Sequence, residues 1–182
     1  MISKSMILNL SKGFRKLPEK AQDVWWQFCE MSIAKESYQN LAYLNMTDLI
    51  DITNEYCKSP IEKIFFFTFS LVEFDYSEGR IQGLELNQQE EVKVNDKTYY
   101  LDFCFNANEN GFEESDYKLA IECDGHDFHE KTKEQVTKDN ERTLDLKMAG
   151  YDILRFSGSQ IYNEPFKCAI STLKYILKKV NE

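Results

Sequence analysis

Two stretches of this chain alternate as strands do and carry carboxylates among their apolar residues. In Thr98–Phe105, Leu101, Phe103 and Phe105 fall on one side and Tyr100, Asp102 and Cys104 on the other. In Tyr117–Cys123, Leu119, Ile121 and Cys123 share a side, while Ala120, Glu122 and then Asp124 share the opposite one. Carboxylates from adjacent strands that project into one space repel each other and cost desolvation, so they persist mainly where a cation neutralises them. Hard oxygen donors suit Mg²⁺ or Mn²⁺. Asp102 and Glu122, with a backbone carbonyl near Cys123, make a ligand set that leaves positions for water and a phosphate. An ion held there polarises a phosphoryl oxygen and acidifies an attacking water. The plain alternative is a pair of carboxylates on a solvated sheet face.

The rest of the chain supplies a frame for these strands. Leu17-Pro18-Glu19 leads into a helical pattern through about Ser37, with Ala21, Val24, Trp25, Phe28 and Ser32 at helical spacing, and a second helix is expected from Met46 or Thr47 to Cys57. Ser59-Pro60-Ile61-Glu62 opens a third, with Pro at its first position and an S-x-x-E capping box; Ile64 to Val72 is apolar nearly all round, as in a buried helix. After the turn residues Glu78, Gly79 and Arg80, strands occupy Leu84–Phe105, with a hairpin turn at Asn95, Asp96 and Lys97. A polar loop, Asn106–Asp116, precedes the second carboxylate strand. Thr132–Ala149 is an amphipathic helix with Gly150 as its C-cap, Tyr151–Phe156 a short buried strand, Ser157-Gly158-Ser159 a turn, and Pro165 the start of a last helix with a stripe from Phe166 to Val180. This order implies an α/β domain with a mixed central sheet flanked by helices, residues 59–182, behind a helical extension, residues 1–58.

A length of 182 residues suits one main core. The most apolar run, Ile64–Val72, is too short to span a bilayer, so no membrane partner is expected. Five cysteines, an odd number without CxxC spacing and mostly among apolar neighbours, read as buried thiols of a reducing compartment, the cytoplasm by default. The net charge of −9 argues at first against a polyanionic partner. It is unevenly spread: residues 131–182 carry ten Lys and Arg against seven Asp and Glu, a basic part able to follow a phosphate backbone, or else simply a solvated face.

The only two histidines, His126 and His129, lie in the loop Asp124-Gly-His-Asp-Phe-His129. They offer proton transfer near neutral pH or further metal ligands, or are ordinary loop histidines. A zinc site from Asp124, His126 and His129 is a lesser alternative, lacking a cysteine pair or a helical HExxH.

Taken together, Tyr100-Leu-Asp102-Phe-Cys-Phe, Leu119-Ala-Ile-Glu122-Cys-Asp124-Gly125 leading to His129, Asp139 with Arg142, and Gly150-Tyr-Asp-Ile-Leu-Arg155-Phe156 resemble the PD-(D/E)XK nuclease superfamily. The closer similarity is to the branch of the very-short-patch mismatch repair endonucleases and their uncharacterised relatives, over roughly Ser59 to Ile161. The resemblance implies a restriction-endonuclease-like core and Mg²⁺- or Mn²⁺-dependent cleavage of DNA. It implies that Asp102 is the metal-binding aspartate, Glu122 the acid of the (D/E)XK element, and Glu62 the acid of the first core helix, unless the Ser59 capping box alone explains Glu62. It also implies an acid or base role for His129, an aromatic contact to DNA bases for Phe128, against a core role, and one of Asp139 and Arg142 pointing to the site, against a simple i,i+3 pair. His126 and Gln160 are further substrate-contact candidates. At Asp124 the superfamily usually has lysine, whose charge an aspartate cannot supply. Three substitutes are open: His126 or His129 moving the proton, Lys138 reaching back from the next helix, or Asp124 acting as an additional metal ligand.

The leading expectation is therefore a divalent-metal endodeoxyribonuclease, in defence or repair by analogy. The alternative is a non-catalytic module of the same fold that binds nucleic acid or a protein partner. Monomer and homodimer are equally compatible with the sequence.

Overall fold

In the computed structural model, residues 12–31, 46, 48–77, 84–112, 115–124 and 132–182 are described. A 3₁₀ turn, Phe14–Lys16, leads to α1 (Glu19–Met31), α2 (48–56), α3 (Pro60–Tyr76), β1 (Asn87–Val94), β2 (Lys97–Asn106), β3 (Lys118–Asp124), α4 (Lys133–Met148), β4 (Tyr151–Ser157), α5 (Gly158–Asn163) and α6 (Pro165–Val180). The expected extension of α1 to Ser37 and the turn Glu78–Arg80 fall outside the described residues.

The four strands stand in the order β1-β2-β3-β4. β1 and β2 form a hairpin in which Val94 faces Lys97, leaving a two-residue turn at Asn95 and Asp96, with Asn95 at φ 54°. Asn tolerates that left-handed conformation better than most residues, and Lys97 is the first residue of β2, not the last of the turn. β2 pairs antiparallel with β3, and β3 parallel with β4. The parallel step needs a crossover, which α4 provides. The result is the expected α/β architecture, a restriction-endonuclease-like mixed sheet flanked by helices.

One sheet face packs on α3. Phe65 lies 5.4 Å from Phe103 and 5.8 Å from Phe156 between ring centroids, and Phe66 stacks on Phe103 at 5.7 Å. The all-round apolar pattern of α3 is matched by burial of Ile64 to Phe69 and Leu71, since α1 and α6 pack against it as well. Phe14, Val24, Trp25 and Phe28 join this same core, so the N-terminal helical residues and the sheet share one apolar interior. The other face carries a smaller cluster of Val92, Val94, Leu101, Cys104, Ala120 and Leu146 under α4.

Three local readings are corrected. Leu101 packs in the smaller cluster and not with Phe103 and Phe105, so the alternation of β2 breaks at Asp102. The β1–β2 ladder omits the step that Gln89 would share with Asp102, and Gln89 has φ 53°. Ser157 is not part of a turn: it caps α5, its Oγ accepting the Gln160 N–H while Gln160 Oε1 accepts the Ser157 N–H. α4 is amphipathic only weakly, with Leu146 buried while Val136, Leu144 and Met148 are exposed.

Candidate metal and phosphate site

The site lies where β3 ends, around the break in β2. The β2–β3 register sets Phe103 opposite Ile121, so one further step brings Asp102 beside Glu122. There Asp102 Oδ2 accepts the Cys123 N–H at 2.7 Å, a side chain standing in for a ladder acceptor. Burial pushes the Asp102 carboxyl up to about 6; the charges of Glu122 and Glu62 add to this, while the Cys123 N–H and Arg142 oppose it. Asp102 is thus the residue on which the negative charges of two strands and one helix converge.

Glu62 comes from the first turn of α3 and is 7% exposed. Ser59 Oγ caps its N–H at 3.2 Å, but the reciprocal half of the expected capping box is absent. Glu62 Oε2 takes the N–H of Lys58, one residue before the cap, at 2.9 Å, and the side-chain amide of Gln89 at 3.1 Å. The carboxylate is therefore drawn toward β1 and the Asp102 step instead of closing on its own helix.

Glu122, also 7% exposed, faces α4. Its Oε1 accepts from Arg142 Nη2 at 2.7 Å, and the same nitrogen donates to the Tyr100 carbonyl at 2.6 Å, with the guanidinium 5.7 Å from the Tyr99 ring centroid. Burial raises the Glu122 carboxyl in spite of Arg142 and Arg155, which lower it. Arg142 is thus tied to the site, across helix and sheet, and is not an i,i+3 partner alone. Asp124 ends β3 with Oδ2 buried, without a hydrogen bond, and 3.6 Å from Arg155 Nε in an ion pair. That distance is too long for a hydrogen bond.

Lys138 is exposed on α4, four residues and one turn before Arg142 on the same side of the helix. Gln160 is bonded to Ser157, the register partner of Asp124 on β4, and its side-chain carbonyl is committed to the Ser157 cap. His126, Phe128 and His129 lie outside the described residues.

Residues 80–176, just over half of the chain, match a restriction-endonuclease-like family, REase_MTES_1575. The chain belongs to the REase_MTES_1575 family. No curated protein and no solved structure matches it significantly. The REase_MTES_1575 match spans the hairpin, the carboxylate strands, α4 and β4, so Asp102, Glu122, Asp124, Arg142 and Arg155 all fall inside it while Glu62 precedes it. A restriction-endonuclease-like family is a nuclease family, which gives the buried carboxylates a chemical context that a solvated sheet face lacks.

Whether a divalent ion fits can be judged from the donors. Among the described residues no group of three or more His, Cys, Asp or Glu is arranged to hold one. The donor chemistry nevertheless suits a hard cation: Asp102 has only one oxygen committed to a backbone N–H, Asp124 Oδ2 is buried without a donor, and Glu122 is bonded through one oxygen only. Each of these carboxylates is one whose burial a positive charge would relieve.

The residue that sequence reasoning missed is Arg155. It sat inside the recognised Gly150–Phe156 segment, yet an arginine within an apolar strand was available as a signal, because such a charge is rarely buried without a partner.

Proposed function

We propose that this chain is a divalent-metal-dependent endonuclease that hydrolyses DNA phosphodiester bonds, with Asp102 and Glu122 as the principal metal ligands and Asp124 assisting. The observation that supports this reading is that the strand register sets Asp102 beside Glu122 at the end of β3, both buried or half-buried and both inside the restriction-endonuclease-like match. A bound Mg²⁺ or Mn²⁺ supplies Lewis acidity and an acidified water. The protein's own residues do the remaining work. Arg142 holds Glu122 in place through Nη2 and braces itself on the Tyr100 carbonyl. Gln89 and the Lys58 N–H aim Glu62 at the same end of the sheet. Lys138, exposed on α4 one turn before Arg142, is the cation assigned here to the role of the lysine that Asp124 replaces. His129 supplies or removes the proton at the leaving or attacking oxygen, as the resemblance to the very-short-patch repair endonucleases implies.

A second reading has a specific observation in its favour. Asp124 replaces a lysine and Glu122 is already neutralised by Arg142, as expected of a nuclease fold that retains nucleic-acid or protein binding without cleavage. Titration of Mn²⁺ into the intact protein, with Asp102→Ala and Glu122→Ala alongside, separates the two. The nuclease reading expects one ion bound with affinity reduced at least tenfold or so in each variant. DNA binding with no ion bound by the folded wild type supports the binding module instead.

A further inference from the structure

Six buried side-chain nitrogen or oxygen atoms among the described residues lack a hydrogen-bond partner, and three of them belong to residues linked through Glu122 and its strand partner: Asp124 Oδ2, 3.6 Å from Arg155 Nε; Arg155 Nε itself; and Nε of Arg142, which is bonded to Glu122. Unsatisfied buried donors and acceptors are costly and few in native proteins, so a group of them marks a place where a partner is expected. Two of the three are guanidinium N–H donors, and what both need is an acceptor with several oxygens.

The two arginines differ in what they have already spent. Arg142 is engaged through Nη2 with Glu122 and Tyr100. Arg155 is held in register beside Glu122 by the parallel β3–β4 pairing, and its Nε stands 3.6 Å from Asp124 Oδ2, in an ion pair without a hydrogen bond. Glu122 already has a 2.7 Å hydrogen-bonded cation in Arg142, so Arg155 is not needed to neutralise it. Its side chain is 26% exposed, so it is anchored in the sheet yet reachable from solvent. It lies between Leu154 and Phe156, both packed on the main core, which fixes the strand from which it projects.

We infer that Arg155 is a phosphate-binding residue of this site: its guanidinium, parked against Asp124 in the free protein, turns its unspent donors to a non-bridging oxygen pair of the DNA backbone when substrate is bound. A planar guanidinium fork matches a phosphate bidentately, which an ammonium does not. The exchange frees the Asp124 carboxylate at the moment a cation is needed beside it. This inference rests on the nuclease reading, and supplies from β4 the positive charge that position 124 lacks.

The test is equilibrium binding of a labelled short DNA duplex in EDTA across a range of NaCl concentrations. The proteins are full-length wild type, Arg155→Met, Arg155→Lys and the double variant Asp124→Asn with Arg155→Met, each checked by thermal unfolding. Arg155→Met is expected to weaken binding and to lower the slope of log affinity against log salt by about 1. Arg155→Lys is expected to keep the slope while losing affinity. The double variant removes both members of the ion pair; it is expected to regain thermal stability but not DNA affinity, which a merely structural arginine would not produce. Unchanged affinity and slope in folded Arg155→Met or in the double variant overturns the inference and leaves the nuclease reading intact. Wild type that neither binds nor cleaves DNA overturns that reading, and the inference with it.

Discussion

At the scale of single residues the site is expensive to keep, and the cost is measurable. Asp102 ionises at about 6 in the folded protein against an ordinary value of 3.8, so the folded state binds its proton more tightly than the unfolded chain. Its contribution to stability is therefore greatest below pH 3.8, falls as pH rises from 3.8 to about 6, and stays at its lowest above that. Glu122, raised in the same direction, adds to the fall. Asp102→Asn keeps an acceptor for the Cys123 N–H but removes the charge. We expect it to stabilise the metal-free protein at pH 7 by roughly 1–3 kcal/mol while abolishing cleavage, read by urea unfolding in EDTA. Arg142→Met acts oppositely, leaving Glu122 buried without its cation, and should cost about 3–5 kcal/mol, most of it recovered in the double variant with Glu122→Gln. Unequal legibility follows from the same physics. Strand alternation places Glu122 on the side of β3 that Ala120 shares, but it fails in β2 at Asp102, where Leu101 joins the smaller cluster. The pairing of Arg142 with Glu122 joins a helix to a strand 20 positions away, and no local period encodes it.

At the scale of elements, local signals located most of the fold, and the errors have local causes. The Ser59 and Thr132 caps and the φ of 86° at Gly150 fall where the helix boundaries were expected. A related signature, S-x-x-Q at Ser157 to Gln160, is masked in the sequence by Gly158 and two serines, which also suit a turn. Ser157→Ala should cost about 1 kcal/mol by loss of the α5 cap. Gly150→Ala should cost a similar amount, roughly 1 kcal/mol, through backbone strain alone, since no atom stands within 4 Å of the added Cβ. Both are checked by thermal unfolding. The break at Asp102 was invisible to a two-residue period. It depends on Gln89 adopting a positive φ in the facing strand, a choice made in tertiary context, and irregular ladder steps of this sort serve to re-aim a side chain next to a site.

For the whole molecule, the described N-terminal residues are part of the core. Trp25 is 1% exposed and Phe14 fully buried, both in the cluster that includes Phe65, Phe103 and Phe105. Trp25→Ala should therefore lower stability by about 3–5 kcal/mol although it lies far along the chain from every candidate ligand, as denaturant unfolding will report. No helix among the described residues is long and apolar enough to cross a membrane. The class of fold was open to reading because helix, hairpin, strand, helix, strand, helix permits few sheet orders. How the helical extension docks was not, since an amphipathic stripe says that a face is covered without saying by what. The most direct test of the whole account is cleavage of supercoiled plasmid and of short single- and double-stranded DNA by the full chain in Mg²⁺, Mn²⁺ or EDTA, with Asp102→Ala and Glu122→Ala in parallel. The account predicts cutting that requires the metal and is lost in both variants. Cutting that survives EDTA or either substitution, or no cutting by well-folded wild type on any of these substrates, contradicts it.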